Sequence, residues 1–371
     1  TLMYDKGIEL VVFRNQLLEI GVSELMNLFS YANNIVGRKT NVETASLLAS
    51  EMLKIDLAPS KLDIGLLTAE YIENNGDIKT FLAEKLNHII NADNGSNRAK
   101  DVILYGFGRI GRLTARELIK QAGKGQQLRL KAIVVRNLTN EQLIKRADLL
   151  RNDSVHGAFK GVVDVDLENQ SIIVNGQVIK FIEGGNPEEI NYVEHGINDA
   201  LLIDNTGAFK DKKALSRHLK SEGVSKVLLT APGKEIPNIV YGINSKGLDV
   251  DANNIFSAAS CTTNCIAPIL HLVENKYSIE KGHLETVHAY TNDQNLLDNM
   301  HKKPRRGRSA AINMVITSTG AGNAVTKVIP SLAGKLTANA VRVPTPNVSL
   351  AILKLSLNNK TSVEDMNATI S

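Results

Sequence analysis

"ILYGFGRIGRL", residues 103–113, sets Gly106, Gly108 and Gly111 in a G-x-G-x-x-G spacing between an apolar run and an amphipathic segment. The spacing has a physical purpose. A first glycine permits a tight turn, and a second lets the backbone approach a pyrophosphate. The helix that follows offers free amides and a partial positive charge to the anion. A lone glycine pattern is also found in ordinary turns, but a strand before it and a helix then a strand after it favour a dinucleotide cradle.

Around this stretch apolar strands alternate with amphipathic helices: "DVILYGF", "RLTARELIKQA", "LRLKAIVVRNL", "NEQLIKRADLL", "DALLIDNTG" and "VSKVLLTAP". Such alternation predicts a parallel sheet with helices on both faces. Residues 161–184 alternate with period two around Asn175-Gly176, which predicts a hairpin. Residues 7–91 read differently. Apolar positions recur three and four apart, no strand is expected, and Thr40 with Glu43 fits a capping box. "NADNGSNRAKD", residues 91–101, lacks any apolar period and reads as a linker, with a domain boundary near Arg98.

Composition limits the function classes. Two cysteines in 371 residues cannot build a disulfide framework and suit a reducing cytoplasm. No run approaches the roughly 18 to 20 apolar residues of a membrane span. A net charge of +4 with 22% charged residues gives no mandate for nucleic acid. The sequence starts at Thr1 rather than Met and stops at Ser371 as a helix opens, so it reads as a fragment at both ends.

The strand after the glycine turn ends in "VVRNLTN". NAD-specific sites usually carry an acid there to accept from the ribose 2′-hydroxyl. Arg136 and Asn137 stand in its place, and both can serve a 2′-phosphate, so NADP or dual use is expected. The alternative for Arg136 is a simple solvated strand-end charge.

Both cysteines lie in "SAASCTTNCIAPIL", residues 257–270. One helical turn separates their Cβ atoms by about 5 to 6 Å, more than a disulfide allows. A zinc site would need two further ligands, and no spacing supplies them. A working thiol remains. Cys261 lies at the expected helix start, where the macrodipole favours a thiolate, whereas Cys265 reads as a buried small hydrophobe. Of eight histidines, His288 stands out modestly because it closes the apolar strand "HLETVHAYTND". Spacing alone does not carry that choice. No metal site is expected.

"SCTTNCIAP", "GFGRIGRL", "VHAYTNDQ", "NDSVHGAF" and "STGAGNAVTKVIPSLAGKLTANAVRVPTPNVS" together resemble the phosphorylating glyceraldehyde-3-phosphate dehydrogenase family, in collinear order over roughly residues 100 to 360. The N-terminal block resembles the extension of a longer bacterial form. The resemblance implies three parts: a helical extension (1–98), an NAD(P)-binding Rossmann domain (99–260) and an α+β catalytic domain (261–371). It makes Cys261 the nucleophile and His288 the base. Thr291, Asp293 and Arg342 would hold the substrate's phosphate. Ser260, Thr262, Thr319, Gly320 and Arg306 would hold inorganic phosphate. The cofactor would contact Gly106, Phe107, Gly108, Arg109, Ile110, Gly111, Arg136, Asn137, Thr206, Gly207 and Thr230. A homotetramer acting on glyceraldehyde 3-phosphate and inorganic phosphate follows from the family.

This sequence departs from the family pattern in places. Tyr105 replaces an asparagine before the first glycine, Asn137 replaces the acid, and Asn299-Met300 replaces a Leu-Pro that crowds the adenosine ribose. All three point towards NADP. The family's C-terminal segment is not in the sequence, which puts the activity of the chain as given in question. Erythrose-4-phosphate dehydrogenase is the enzymatic alternative, and a regulatory or scaffolding relative the non-catalytic one.

Overall fold

The computed structural model describes residues 2–13, 15–17, 20–74, 76–90, 100–121, 128–317 and 319–371. The chain divides into two units, Thr1–Thr206 with His218–Ser225, and Gly207–Arg217 with Lys226–Ser371. The boundary expected near Arg98 and residues 91–99 of the expected linker lie outside the described residues, whereas the last two residues of that linker, Lys100 and Asp101, belong to a strand.

In the first unit, the N-terminal block holds α1 (Leu2–Lys6), β1 (Ile8–Val12), β2 (Asn15–Gln16), α2 (Val22–Tyr31), α3 (Val42–Met52), β3 (Ser60–Asp63), α4 (Ile64–Asn74) and α5 (Ile78–Lys85). Helices dominate, as expected, but a small sheet accompanies them. β1 pairs parallel with β3 and antiparallel with β2. Ile8 and Val12 of β1 thereby join Leu48, Met52, Ile64 and Leu82 in one buried cluster. The expected capping box is also corrected. Asn41, not Thr40, caps α3 through its Oδ1, which accepts from the Thr44 amide at 2.7 Å. The Thr40 amide instead donates to Asn33.

The same unit continues with β4 (Lys100–Tyr105), α6 (Arg109–Gln121), β5 (Leu128–Val135), α7 (Asn140–Arg151), the two-residue strands β6 (Asn152–Asp153) and β7 (Gly157–Ala158), then β8 (Val163–Asp166), β9 (Ser171–Val174), β10 (Gln177–Glu183) and β11 (Ala200–Asp204). Strand order is β11-β4-β5-β10-β9-β8. The first four are mutually parallel, and β10, β9 and β8 form an antiparallel meander. The ends of β4 and β5 are buried without alternation, the mark of a sheet covered on both faces. Gly111, Ala115, Leu118 and Ile119 form the buried stripe of α6. The expected hairpin is present: Asn175 and Gly176 have φ of 49° and 85°, and a type I′ turn needs both positive.

The second unit contains α8 (Lys212–Leu215), residues 226–229 of β12 (Val224–Leu229), which pairs parallel with β13 (Ile255–Ser257), then α9 (Cys261–Tyr277), β14 (Ile279–Ala289), β15 (Val315–Thr317), α10 (Ala321–Thr326), β16 (Leu336–Val343), β17 (Ser349–Leu357) and α11 (Val363–Ile370). Its four-stranded sheet runs β15-β16-β14-β17, with β14 and β16 parallel. Ile266, Leu270, Val273 and Tyr277 of α9 pack with Leu284 of β14 and with α10 in one core. That core fixes the start of α9 against the end of β14. Among the described residues no helix is long and apolar enough to cross a membrane.

Candidate active site

The chain enters α9 through a constrained turn. Ala259 is buried with φ of 57°, a left-handed conformation that a residue with a Cβ adopts only when its surroundings impose it. The Ser257 hydroxyl supplies part of that imposition, accepting from the Ala259 amide at 3.0 Å and donating to the Ala231 carbonyl at 2.7 Å. Ser260 then caps the helix, its Oγ accepting from the Thr263 amide at 3.1 Å. Such a cap contributes about 1 kcal/mol. Cys261 is therefore the first residue of α9, at the expected helix start, among free amides and the positive end of the dipole.

Cys261 Sγ lies 3.6 Å from Nε2 of His288, at the end of β14. The other ring nitrogen, Nδ1, is 2.7 Å from the Ala289 carbonyl. A carbonyl only accepts, and two lone pairs at that distance would repel, so Nδ1 carries a proton. Nε2 is then left to take the thiol proton. Arg342 Nη1 also lies 2.9 Å from Nδ1, but it reaches the same carbonyl at 2.9 Å and can donate there instead. Register explains the proximity: His288 and Arg342 are direct partners in the parallel β14/β16 ladder.

The electrostatics agree with an activated thiol. The hydrogen bond to His288 lowers the Cys261 pKa to about 7 against the opposing effect of burial, with a smaller contribution from Thr262. The same hydrogen bond raises His288, against burial and the charge of Arg342. Each partner stabilises the charged form of the other.

A relay of contacts runs from His288 through four of the residues expected to bind anions. Arg342 Nη1 donates to Thr291 Oγ1 at 3.3 Å, Thr291 donates to Asp293, and Arg306 pairs with Asp293 while its Nε reaches Thr317 at 3.1 Å. Partial burial pushes the Asp293 carboxyl up, but the bonds from Thr291 and Arg306 outweigh it and hold it below the usual range. Burial, then the like charge of Arg306, lowers Arg342. Two residues assigned to different pockets, Arg306 and Asp293, thus meet. Thr319 Oγ1 accepts from the Ala321 amide at 3.2 Å and Gly320 precedes α10, so both are partly engaged in that helix start. Thr262 Oγ1 lies 4.0 Å from the thiol.

Cys265 is exposed, correcting its expected burial. The buried stripe of α9 runs through Thr263, Ile266, Ala267 and Leu270, and Cys265 is about 200° round the helix from Thr263. Both cysteines are free thiols.

The glycine turn in the first unit fits a dinucleotide. Gly106 has φ of 95°, and a Cβ there would come within 2.8 Å of the Thr206 side chain. A Cβ on Gly111 would lie 2.2 Å from the Gly106 carbonyl, whereas one on Gly108 would meet nothing within 4 Å. Gly106 and Gly111 are thus required by the turn itself, and Gly108 leaves open space before α6, which begins with Arg109 and Ile110. Thr206 is held by Asp204, whose Oδ1 accepts from its amide at 2.8 Å and its hydroxyl at 2.7 Å. Phe107 packs edge-on against Phe181 with ring centroids 5.4 Å apart, so it supports the turn from the core. Tyr105 is buried edge-on against His218, at 4.7 Å between centroids. Arg136 and Asn137 are exposed just past β5. Gly207, with φ of 68°, and Thr230, just past β12, are in the second unit. Sequence reading missed Glu183, which ends β10 opposite Val135 and accepts from the Leu138 amide at 3.1 Å. Only the strand register could have found it.

The family model described as "Glyceraldehyde 3-phosphate dehydrogenase, NAD binding domain" matches residues 100–212, and that of the C-terminal domain matches residues 260–371. The chain belongs to the glyceraldehyde-3-phosphate dehydrogenase family. It is 51% identical over 329 residues, 88% of its length and 71% of the relative's, to a glyceraldehyde-3-phosphate dehydrogenase-like protein of Pseudomonas aeruginosa. It is 43% identical over 270 residues to glyceraldehyde-3-phosphate dehydrogenase 2 of a Nostoc species, covering 72% of this chain and 77% of the other. To glyceraldehyde-3-phosphate dehydrogenase of Clostridium acetobutylicum it is 38% identical over 272 residues, with the same coverage. The Pseudomonas alignment is longer than residues 99–371, so it reaches into the N-terminal block. Residues 100–212 are the NAD-binding domain of this oxidoreductase family, and NAD(P) is the cofactor.

Proposed function

We propose that the chain catalyses the reversible oxidation and phosphorylation of glyceraldehyde 3-phosphate to 1,3-bisphosphoglycerate, in glycolysis or gluconeogenesis. The observation that carries this reading is the 3.6 Å contact between Cys261 and His288, at a helix start beside two arginines. Cys261 attacks the aldehyde carbon as a thiolate, and His288 Nε2 takes the thiol proton and returns it to the oxygen of the hemithioacetal. The same nitrogen then removes that hydroxyl proton as the carbon is oxidised to a thioester. The Cys261 amide, free at the start of α9, faces the charge that develops on oxygen. NAD(P), when bound, supplies the hydride acceptor. A phosphate oxygen next attacks the thioester carbonyl, the carbon–sulfur bond breaks, and the thiolate leaves as the neighbour of a protonated His288.

Two anionic groups must be held beside one thiol. Arg342 with Thr291 would hold the substrate's phosphate. Ser260, Thr262, Thr319, Gly320 and Arg306 would hold the attacking one. Asp293 orients Thr291 and Arg306 between them. The cradle residues Gly106 to Gly111, with Thr206, would hold the cofactor, and Arg136 and Asn137 favour NADP or dual use. A homotetramer is supported by Leu296, Leu297, Met300, Ile312 and Met314, each at least 73% exposed in the isolated chain. Two free thiols suit the cytoplasm.

Initial rates with glyceraldehyde 3-phosphate and erythrose 4-phosphate, each with and without inorganic phosphate, test the reading. It requires the triose to be the better substrate and the rate to depend on phosphate. A phosphate-independent preference for the tetrose would move the assignment to the related dehydrogenase, and no rate with either aldehyde would leave a scaffold.

A further inference from the structure

β5 ends at Val135, and the loop that follows carries two polar side chains, Arg136 and Asn137, where a dinucleotide site usually places an acid. The neighbouring strand provides one. β10 runs parallel to β5 in a register that sets Glu183 opposite Val135, and Glu183 Oε2 accepts from the Leu138 amide at 3.1 Å. The carboxylate is thereby fixed against the very loop whose side chains the adenosine ribose would face. It does so on an exposed residue, and Gly184 beyond it has no side chain to cover the group. A Cβ at Gly184 would sit 2.3 Å from Ile190, so the absence is enforced by packing.

From this placement we infer that Glu183 is a specificity-determining residue, supplying from the adjacent strand the acid that β5 lacks. A carboxylate there accepts from a ribose hydroxyl and repels a 2′-phosphate. Arg136, on the loop after β5, does the reverse. The end of β10 and the loop after β5 therefore carry opposed charges, and the cofactor preference is the balance between them rather than a simple choice of NADP. The inference rests on the dinucleotide reading of the cradle and selects dual use within it.

Isothermal titration of the full chain with NAD and, separately, NADP tests this without any aldehyde present. Glu183→Gln is expected to shift the affinity ratio towards NADP by about tenfold, the worth of one hydrogen bond to a charged group. Arg136→Ala is expected to shift it towards NAD by a similar factor. Glu183→Asp, which keeps the charge, should return the ratio towards the wild-type value. A Glu183→Gln ratio equal to wild type, or equal weakening of both cofactors, overturns the inference while leaving the cradle intact. Absence of binding of either cofactor to the wild-type chain overturns the cradle itself and the inference with it.

Discussion

Cys261 Sγ and His288 Nε2 stand 3.6 Å apart although 27 residues separate them in the chain, and each shifts the other towards its charged form. The contact is made by two independent supports. Ser260 caps the helix that begins with Cys261, and the β14/β16 ladder sets His288 beside Arg342.

The thiol should titrate near neutrality. Alkylation by iodoacetamide follows the thiolate fraction, so its rate is expected to rise with pH through about 7, the value set mainly by the His288 hydrogen bond. His288→Asn removes that bond, and the midpoint should move up towards the ordinary thiol value of about 8.5. Alkylation of both proteins across a pH series checks the sign. A lower midpoint in the variant would contradict the pairing.

His288→Asn should also lower kcat by about 10² to 10⁴, the usual contribution of a general base. Cofactor affinity measured by titration should remain, because the base belongs to the thiol site. Cys261→Ser should behave likewise, abolishing turnover while retaining cofactor binding.

The three glycines of the turn should separate in stability and binding. Gly111→Ala brings a Cβ to within 2.2 Å of the Gly106 carbonyl, and a loss of about 1 to 3 kcal/mol is expected by urea unfolding. Gly108→Ala meets nothing within 4 Å, so stability should hold while NAD(P) affinity falls. Equal effects of the two on stability would show that the cradle is ordinary core.

Arg306→Ala leaves Asp293 without its arginine partner beside the proposed anion sites. The KM for phosphate is expected to rise more than the KM for the aldehyde, as steady-state kinetics with each varied in turn would reveal. Arg342→Ala should reverse that order.

The parts of this molecule differ in how far they are legible locally. Gly106, Gly108 and Gly111 announce themselves because one short loop needs all three, and Asn175-Gly176 because a two-residue hairpin needs positive φ twice. The N-terminal sheet was hidden. "IELVV" has apolar residues that serve a helix stripe as well as a strand, and only pairing with β3, some fifty residues later, settles it. The thiol could be chosen by its helix start, but Arg342 reaches His288 through a register that no local pattern encodes. Glu183 is a single polar residue ending a strand, unremarkable until β10 is laid beside β5. Cys265 was misplaced because its apolar neighbours suggested burial, whereas helix phase decides it. Ser260, read as a phosphate ligand, is also the helix cap, and a Ser260→Ala variant should lose about 1 kcal/mol of stability whatever it does to phosphate.

The central claim is that Cys261 carries the substrate as a thioester. Incubating the full chain with NAD or NADP and glyceraldehyde 3-phosphate in the absence of inorganic phosphate, then quenching and mapping peptides by mass spectrometry, tests it directly. The account requires one acyl adduct per chain, on Cys261, formed in step with reduced cofactor and released when phosphate is added. Reduced cofactor without an adduct, or an adduct on Cys265, would contradict it.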